Sequence, residues 1–330
     1  MQIEVNNLVK EYKRKRATRN VSEAFKSMFR PEYEILRAVN DISFQIEKGE
    51  SVGYVGPNGS GKSTTIKMLS GVLQPTLGSV RINGLVPAEN RKKVNKNIGI
   101  VFGNRSVLWW DVPIIESYKV LQKLYEIPEK RFQKNLELCS EVIGIGDLLG
   151  IPERQLSLGQ KMRCNIAAAF LHSPEIVFLD EPTIGLDSES KLNIRKFIKK
   201  MNEEFKTTFI VTSHDFQDIE SLCQRIILIN HGKMVVDEKS EILRRKFNKK
   251  KQITLEMDAN PWLNQILPVD GVEILKQDVN NLVLECDVRK VNAMSVVERI
   301  SKECEVKDVS INGQDIETII REIVSEDNKK

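Results

Sequence analysis

The chain has 330 residues, 41% hydrophobic and 29% charged, with a net charge of +4. That length allows two domains, the balance is that of an ordinary globular protein, and the small net charge excludes a bulk nucleic-acid-binding surface. No apolar run approaches the ~18 to 20 residues needed to span a bilayer, and Met1-Gln-Ile-Glu-Val has neither the basic start nor the apolar core of an export signal.

In chain order, Met1 to Leu8 reads as a strand, with Tyr12 just beyond it. Residues 13 to 30 hold Lys13, Arg14, Lys15, Arg16, Arg19, Lys26 and Arg30 against the single acid Glu23. Within them Val21, Ala24, Phe25, Met28 and Phe29 recur at spacings of three and four, one apolar stripe of a short helix. Such a basic amphipathic helix suits an acidic inner-leaflet surface or a helix of a membrane protein, and equally a solvated loop whose helix packs on its own domain.

Glu50 to Val55 reads as a buried strand and Ser63 to Ser70 as a helix, and between them runs Gly56-Pro57-Asn58-Gly59-Ser60-Gly61-Lys62-Ser63. This fits G-x-x-x-x-G-K-[ST], a loop that cradles the phosphates of a nucleotide on a helix N-terminus. Its glycines let the backbone approach phosphate oxygens, Lys62 reaches the β- and γ-phosphates, the Ser63 hydroxyl binds Mg²⁺ and Thr64 adds a further hydroxyl. A second apolar strand, Ile98 to Phe102, precedes Gly103, Asn104 and Arg105, then Ser106-Val-Leu-Trp-Trp-Asp111. Adjacent tryptophans in a polar loop imply either one packed inside or an anchor for a partner helix. Residues 112 to 150 carry helical patterning, as in Ile115 to Leu124 and Phe132 to Val142, punctuated by Pro113, Pro128, Gly144 and Gly146.

Leu156-Ser157-Leu158-Gly159-Gln160 opens another helix, where Ser157 has the ordinary reading of an N-terminal cap. Ile176 to Asp180 is an apolar run ending in acid, the shape of a buried parallel strand whose C-terminal end enters a site. Asp180 there would hold Mg²⁺ and Glu181 would polarise an attacking water. Asp187 follows in a glycine-containing turn, and His214 follows the strand Thr208 to Thr212, where a hydrogen-bonded core histidine is the default reading. Ile226 to Val236 reads as two strands around a turn at Asn230 to Lys233. After the basic run Arg244 to Lys251 come strand candidates at Gln252 to Met257, Gly271 to Leu275, Leu282 to Val288 and Val306 to Ile311, with helices at Asn292 to Cys304 and Ile316 to Ser325. Five cysteines, at 139, 164, 223, 286 and 304, show no Cys-x-x-Cys pair and no metal spacing, and read as reduced core residues.

With Gly56 to Ser63, Leu156 to Gln160, Ile176 to Glu181, Gly185-Leu186-Asp187 and Thr212-Ser213-His214 in this order, the chain resembles the nucleotide-binding subunit of an ABC transporter over residues 1 to about 240. The resemblance implies an α/β fold: a P-loop NTPase core with a RecA-like mixed sheet, an antiparallel β subdomain and a helical subdomain, plus a small C-terminal α+β domain. Its expected boundaries are 1–240 for the ATP-binding domain, with a basic insertion at 13–36 and the helical subdomain at 112–165, then a linker at 241–251 and the C-terminal domain at 252–330.

The same resemblance implies a head-to-tail homodimer in which Ser157, Gly159 and Gln160 of one copy close on the γ-phosphate held by the other copy's Lys62, with Asp187 at the seam. His214 becomes the γ-phosphate sensor and Tyr12 the ring that stacks on adenine. Where the family places Gln, this chain has Asn104, one methylene shorter, so metal contact there is direct or through water. The cofactors implied are ATP and Mg²⁺. The partner implied is a separate transmembrane permease docking near Asn104 to Asp111, which puts the chain at the cytoplasmic face of the cell membrane. The insertion and the C-terminal domain resemble those of drug or polysaccharide exporters, the latter suggesting dimerisation or regulation. The alternatives are a soluble ABC ATPase outside transport and a polysaccharide or teichoic-acid exporter subunit.

Overall fold

The computed structural model describes residues 1–15, 33–103, 105–247, 250–257, 269–278 and 280–329. The chain divides into two compact units, Met1–Glu238 and Lys239–Lys330.

In the first unit β1 (Ile3–Lys15) pairs antiparallel with β2 (Tyr33–Ile46) on one side and β4 (Leu77–Ile82) on the other. Here the first strand exceeds its expected length: Tyr12 lies within it, opposite Leu36, because β1 and β2 continue as a paired ribbon. An ion pair between Glu11 and Arg37, 2.8 Å apart, ties that ribbon across its strands. Residues 13–15 and 33–36 of the expected insertion are therefore strand, and its expected helix over Val21 to Phe29 lies outside the described residues.

The second sheet has the order β5-β6-β7-β3-β8-β9, built from β3 (Ser51–Val55), β5 (Ile98–Phe102), β6 (Ile176–Asp180), β7 (Thr208–Thr212), β8 (Arg225–Asn230) and β9 (Lys233–Lys239). The pairs β5/β6, β6/β7, β7/β3 and β3/β8 are parallel. Parallel strands covered on both faces need unbroken apolar runs, and β3 and β7 are buried at every position. Parallel pairing also aligns the strand C-termini, so Val55, Asp180 and Thr212 end on one edge of the sheet. His231 and Gly232, both at positive φ, turn the chain between β8 and β9.

α1 (Lys62–Leu69) packs on this sheet, and its Ile66, Met68 and Leu69 join Val5, Ile42 and Phe44 of the antiparallel sheet in one core with Val52 and Tyr54. After the short α2 (Arg91–Asn95), the helical subdomain is formed by α3 (Ile114–Leu124), α4 (Glu129–Ile143) and α5 (Leu158–Phe170). Phe170 at the end of α5 meets Phe197 of α6 (Ser188–Phe205) edge-on, 4.8 Å between centroids. This contact seats the subdomain on the core. α7 (Phe216–Leu222) follows β7.

In the second unit α8 (Ser240–Phe247) is a helix where a basic linker over 241–251 is expected. Its one buried residue, Leu243, anchors it while Arg244, Arg245 and Lys246 stay exposed, so the cationic run is the wet face of a helix. β10 (Lys250–Met257), β11 (Val272–Gln277), β12 (Asn281–Asp287) and β13 (Val306–Gly313) make an antiparallel sheet in the order β11-β12-β10-β13. α9 (Ala293–Ser301) packs on it through Val296, Val297 and Ile300, and α10 (Ile316–Asp327) buries Ile316, Ile319, Ile320 and Ile323.

Candidate functional site

The C-terminal edge of the parallel sheet opens into a cleft of about 360 Å³, lined by the phosphate loop, Ala38, Gly103, Asp180, Glu181, Ile184 and His214. α1 begins at Gly61 with no side-chain cap and no acid in its first turn. Its N–H groups therefore face the cleft as a standing anion site. Gly61 has φ 107°, and a Cβ there would lie 2.3 Å from the Ala38 carbonyl oxygen, so only glycine lets the loop pass β2 so closely.

Lys62 Nζ donates to the carbonyl oxygens of Gly56 at 2.7 Å and Pro57 at 3.1 Å. Burial lowers its pKa, and the nearby carboxylates of Glu181 and Asp180 oppose that drop. Next to it, Ser63 Oγ lies 3.1 Å from Asp180 Oδ2, and Thr212 Oγ1 donates to Asp180 Oδ1 at 2.6 Å. Sequence reasoning quotes Thr212 only as a strand end and within Thr212-Ser213-His214 and gives it no role; that role comes instead from the adjacency of two parallel strands that both end in polar residues.

Glu181 sits at φ 59°, in the left-handed region, with its N–H bonded to the Thr212 carbonyl oxygen at 3.0 Å. A non-glycine residue held there is strained, a state that persists where its surroundings over-determine it. The turn aims its carboxylate at His214: Oε2 accepts from the His214 N–H at 3.2 Å, and Oε1 lies 3.2 Å from Nε2. Burial pushes the Glu181 carboxyl up, while His214, its N–H and Lys62 pull it down and Asp180 adds to the rise. His214 is thus an exposed side chain beside a carboxylate at the cleft edge, and the core-histidine reading does not hold.

Oxygen donors from Ser63, Asp180 and Thr212 fit a hard divalent cation such as Mg²⁺. Among the described residues no cluster of three or more His, Cys, Asp or Glu forms a closed metal cage.

Ser157, Gly159 and Gln160 stand apart from this cleft. Ser157 Oγ accepts from the Gln160 N–H at 3.3 Å while Gln160 Oε1 accepts from the Ser157 N–H at 2.9 Å, a complete capping box on α5. Gly159 is packed on the start of α6: a Cβ there would lie 2.6 Å from Ser190 Oγ and 3.3 Å from Asp187 Oδ2. Asp187 itself caps α6, accepting from the Ser190 N–H and Oγ, both at 2.8 Å, and those bonds hold its carboxyl below the usual range. The 157–160 segment and the Asp187 turn are thus packed against each other.

Tyr12 is exposed, with Lys10 Nζ 5.5 Å from its ring centroid, and is not part of the cleft lining. Asn104 lies outside the described residues. Trp109 and Trp110 are both more than half exposed, so neither is packed inside. Lys161 Nζ lies over the Trp110 ring, 4.7 Å from its centroid, and Arg154 pairs with Asp111 at 3.3 Å. Among the described residues no helix is long and apolar enough to cross a membrane.

Residues 39–184 match the family model for the ABC transporter. The chain is 30% identical over 287 residues to the uncharacterized ABC transporter ATP-binding protein YhcH of Bacillus subtilis, spanning 85% of this chain and 93% of that one. It is 36% identical over 208 residues to the linearmycin resistance ATP-binding protein LnrL of Bacillus subtilis, 63% of this chain and 66% of that one. Among solved structures, the dimer of the ATP-binding cassette MJ0796 in a post-hydrolysis state bound to ADP and Pi superimposes with a TM-score of 0.59, at 29% identity over 72% of this chain and 98% of that one. A phosphate loop after β3, an acid pair at the end of β6 in the same parallel sheet and these relatives agree: the chain belongs to the ATP-binding, ATP-hydrolysing subunits of ABC transporters.

Proposed function

We propose that the chain works as a head-to-tail homodimer that closes on ATP and drives a separate membrane permease which exports its substrate. One observation carries the dimer reading. Lys62, Ser63, Asp180, Glu181 and His214 converge on one cleft whose lining leaves out Ser157 and Gly159, which supports a second copy supplying the Ser157 segment.

In this reading the uncapped start of α1 and Lys62 bind the triphosphate, and Ser63 and Asp180 hold Mg²⁺, with Thr212 fixing the Asp180 carboxylate. Bound there, Mg²⁺ neutralises phosphate charge. Glu181 accepts a proton from the attacking water, and His214 orients that carboxylate and senses the γ-phosphate. Tyr12 contributes an exposed ring for adenine. The partner's Ser157 hydroxyl and α5 amides close the far side, with each Asp187 at the seam.

The exposed Trp109, Trp110 and Val107 give the permease its anchor, since large apolar side chains left in water mark an interface. On this reading the chain works at the cytoplasmic face of the membrane. The basic residues of the 13–30 stretch support contact with the inner leaflet, and the likeness to a linearmycin resistance protein supports export. Cells lacking the chain should therefore retain more of an amphipathic dye than cells carrying it, and lower retention would overturn the direction. The dimer is tested with Glu181→Gln: it should bind ATP and elute as a dimer on gel filtration, and wild-type turnover by this variant would remove Glu181 from its role.

A further inference from the structure

Behind Glu181 and His214 lies a buried polar cluster that the cleft chemistry does not use. Thr183 follows Glu181 by two residues, Ser213 immediately precedes His214, and both hydroxyls end on one carboxylate oxygen of Asp218 in α7. Ser213 Oγ donates at 3.0 Å and Thr183 Oγ1 donates at closer range. The other oxygen of Asp218 takes Arg195 of α6, with Nε at 2.6 Å and Nη2 at 2.5 Å.

Asp218 is 0% exposed, Thr183 1% and Ser213 5%. A fully buried carboxylate is costly unless its acceptor sites are filled, so this one fixes all three partners in place. A second strand of the network starts at Asp215, whose N–H donates to Ser213 Oγ at 3.0 Å and whose carboxylate takes Lys191 Nζ at 2.6 Å. Lys191 and Arg195 sit one turn apart on α6, the helix capped by Asp187, whose first turn packs against Gly159.

We propose that Asp218 is a positioning residue for hydrolysis. Through Thr183 and Ser213 it holds the two turns that carry Glu181 and His214 at their 3.2 Å separation, and through Arg195 it ties that pair to α6 and the Asp187 turn. This rests on the proposed roles of Glu181 and His214. Asp218 touches no substrate, so its effect appears in the chemical step and not in nucleotide affinity, which belongs to the Lys62 loop.

The test uses the full chain. Asp218→Asn keeps the shape and loses the charge that Arg195 faces. Thr183→Val keeps the volume and loses one hydroxyl, and Thr183→Ser restores the hydroxyl. Single-turnover hydrolysis is measured per bound nucleotide, so that a misfolded fraction does not enter the rate. Asp218→Asn and Thr183→Val should each lower the hydrolysis rate by about tenfold or more with the KM for ATP within about twofold, and Thr183→Ser should recover most of the loss. Wild-type rates for Thr183→Val, a loss confined to KM, or no recovery with serine would overturn the proposal. Glu181→Gln, run alongside, separates the two readings: a slow Glu181→Gln with a normal Thr183→Val removes only the positioning role, whereas a fast Glu181→Gln removes the base on which it rests.

Discussion

Two helices in this chain have N-termini that the proposed dimer would bring to a phosphate, and they begin in opposite ways. α1 starts at Gly61 without any side-chain cap, whereas α5 starts at Ser157 with both halves of a capping box. An uncapped helix end leaves several N–H donors to be met by a ligand or water, while a boxed end has already met two of its own. α1 is thus an incomplete structure that an anion finishes, whereas α5 has part of its need met before anything binds. On the proposed dimer, the first end should govern whether ATP binds and the second whether bound ATP turns over.

The largest effect on ATP affinity should come from Lys62→Ala. Lys62 Nζ rests on two carbonyls of its own loop, and the Glu181 and Asp180 carboxylates oppose the loss of its charge to burial, so that charge is held ready for phosphate. Its removal should weaken ATP binding by roughly a hundredfold, because a charge-assisted hydrogen bond to phosphate in a shielded site is among the stronger single interactions. Titration with a fluorescent ATP analogue measures this, and unchanged affinity would erase the contrast between the two helix ends. The largest effect on turnover should come from Glu181→Gln, which should slow hydrolysis by about 10² to 10⁴ while leaving affinity intact, the usual range for removing a general base.

These two expectations rest on residues that are legible in the sequence, for a physical reason. The phosphate loop, the Asp180-Glu181 pair and the Ser157 segment are each contiguous, so their chemistry is visible in a few consecutive residue types. The sheet strands of the second unit are legible too, since alternating runs such as Gln252 to Met257 bury every other side chain. What is not legible is whatever depends on several segments meeting. Thr183, Arg195, Ser213 and Asp218 come from four stretches, and each type is ordinary on a surface, so nothing in the string marks them as one buried cluster. The strand pairing of Lys13 and Arg14 with Ile35 and Glu34 is hidden for the opposite reason: a dense run of cations reads as loop until its partner strand is known.

A third variant sharpens the contrast at α5. Ser157→Asp keeps a strong helix cap but sets a negative charge where the partner's γ-phosphate would arrive. Stability should stay within about 0.5 kcal/mol of wild type, because aspartate caps as well as serine. ATP-driven dimerisation and turnover should be suppressed, with binding to the Lys62 loop retained, and ordinary turnover in this variant would argue against the shared site.

The smallest expected effect isolates the cap from the chemistry. Ser157→Ala removes the oxygen that accepts the Gln160 N–H, so the first turn of α5 has one satisfied donor fewer and about 1 kcal/mol less stability. Ser157→Gly removes the same oxygen yet should cost only a few tenths of a kcal/mol, because glycine itself suits the N-cap backbone and lets water reach the freed N–H. Both variants lack the hydroxyl offered to the phosphate, so on the proposed dimer they should slow turnover equally while differing in urea midpoint. If turnover instead tracked stability, with alanine worse than glycine in both, Ser157 would be a cap alone and the phosphate would be met by the α5 amides.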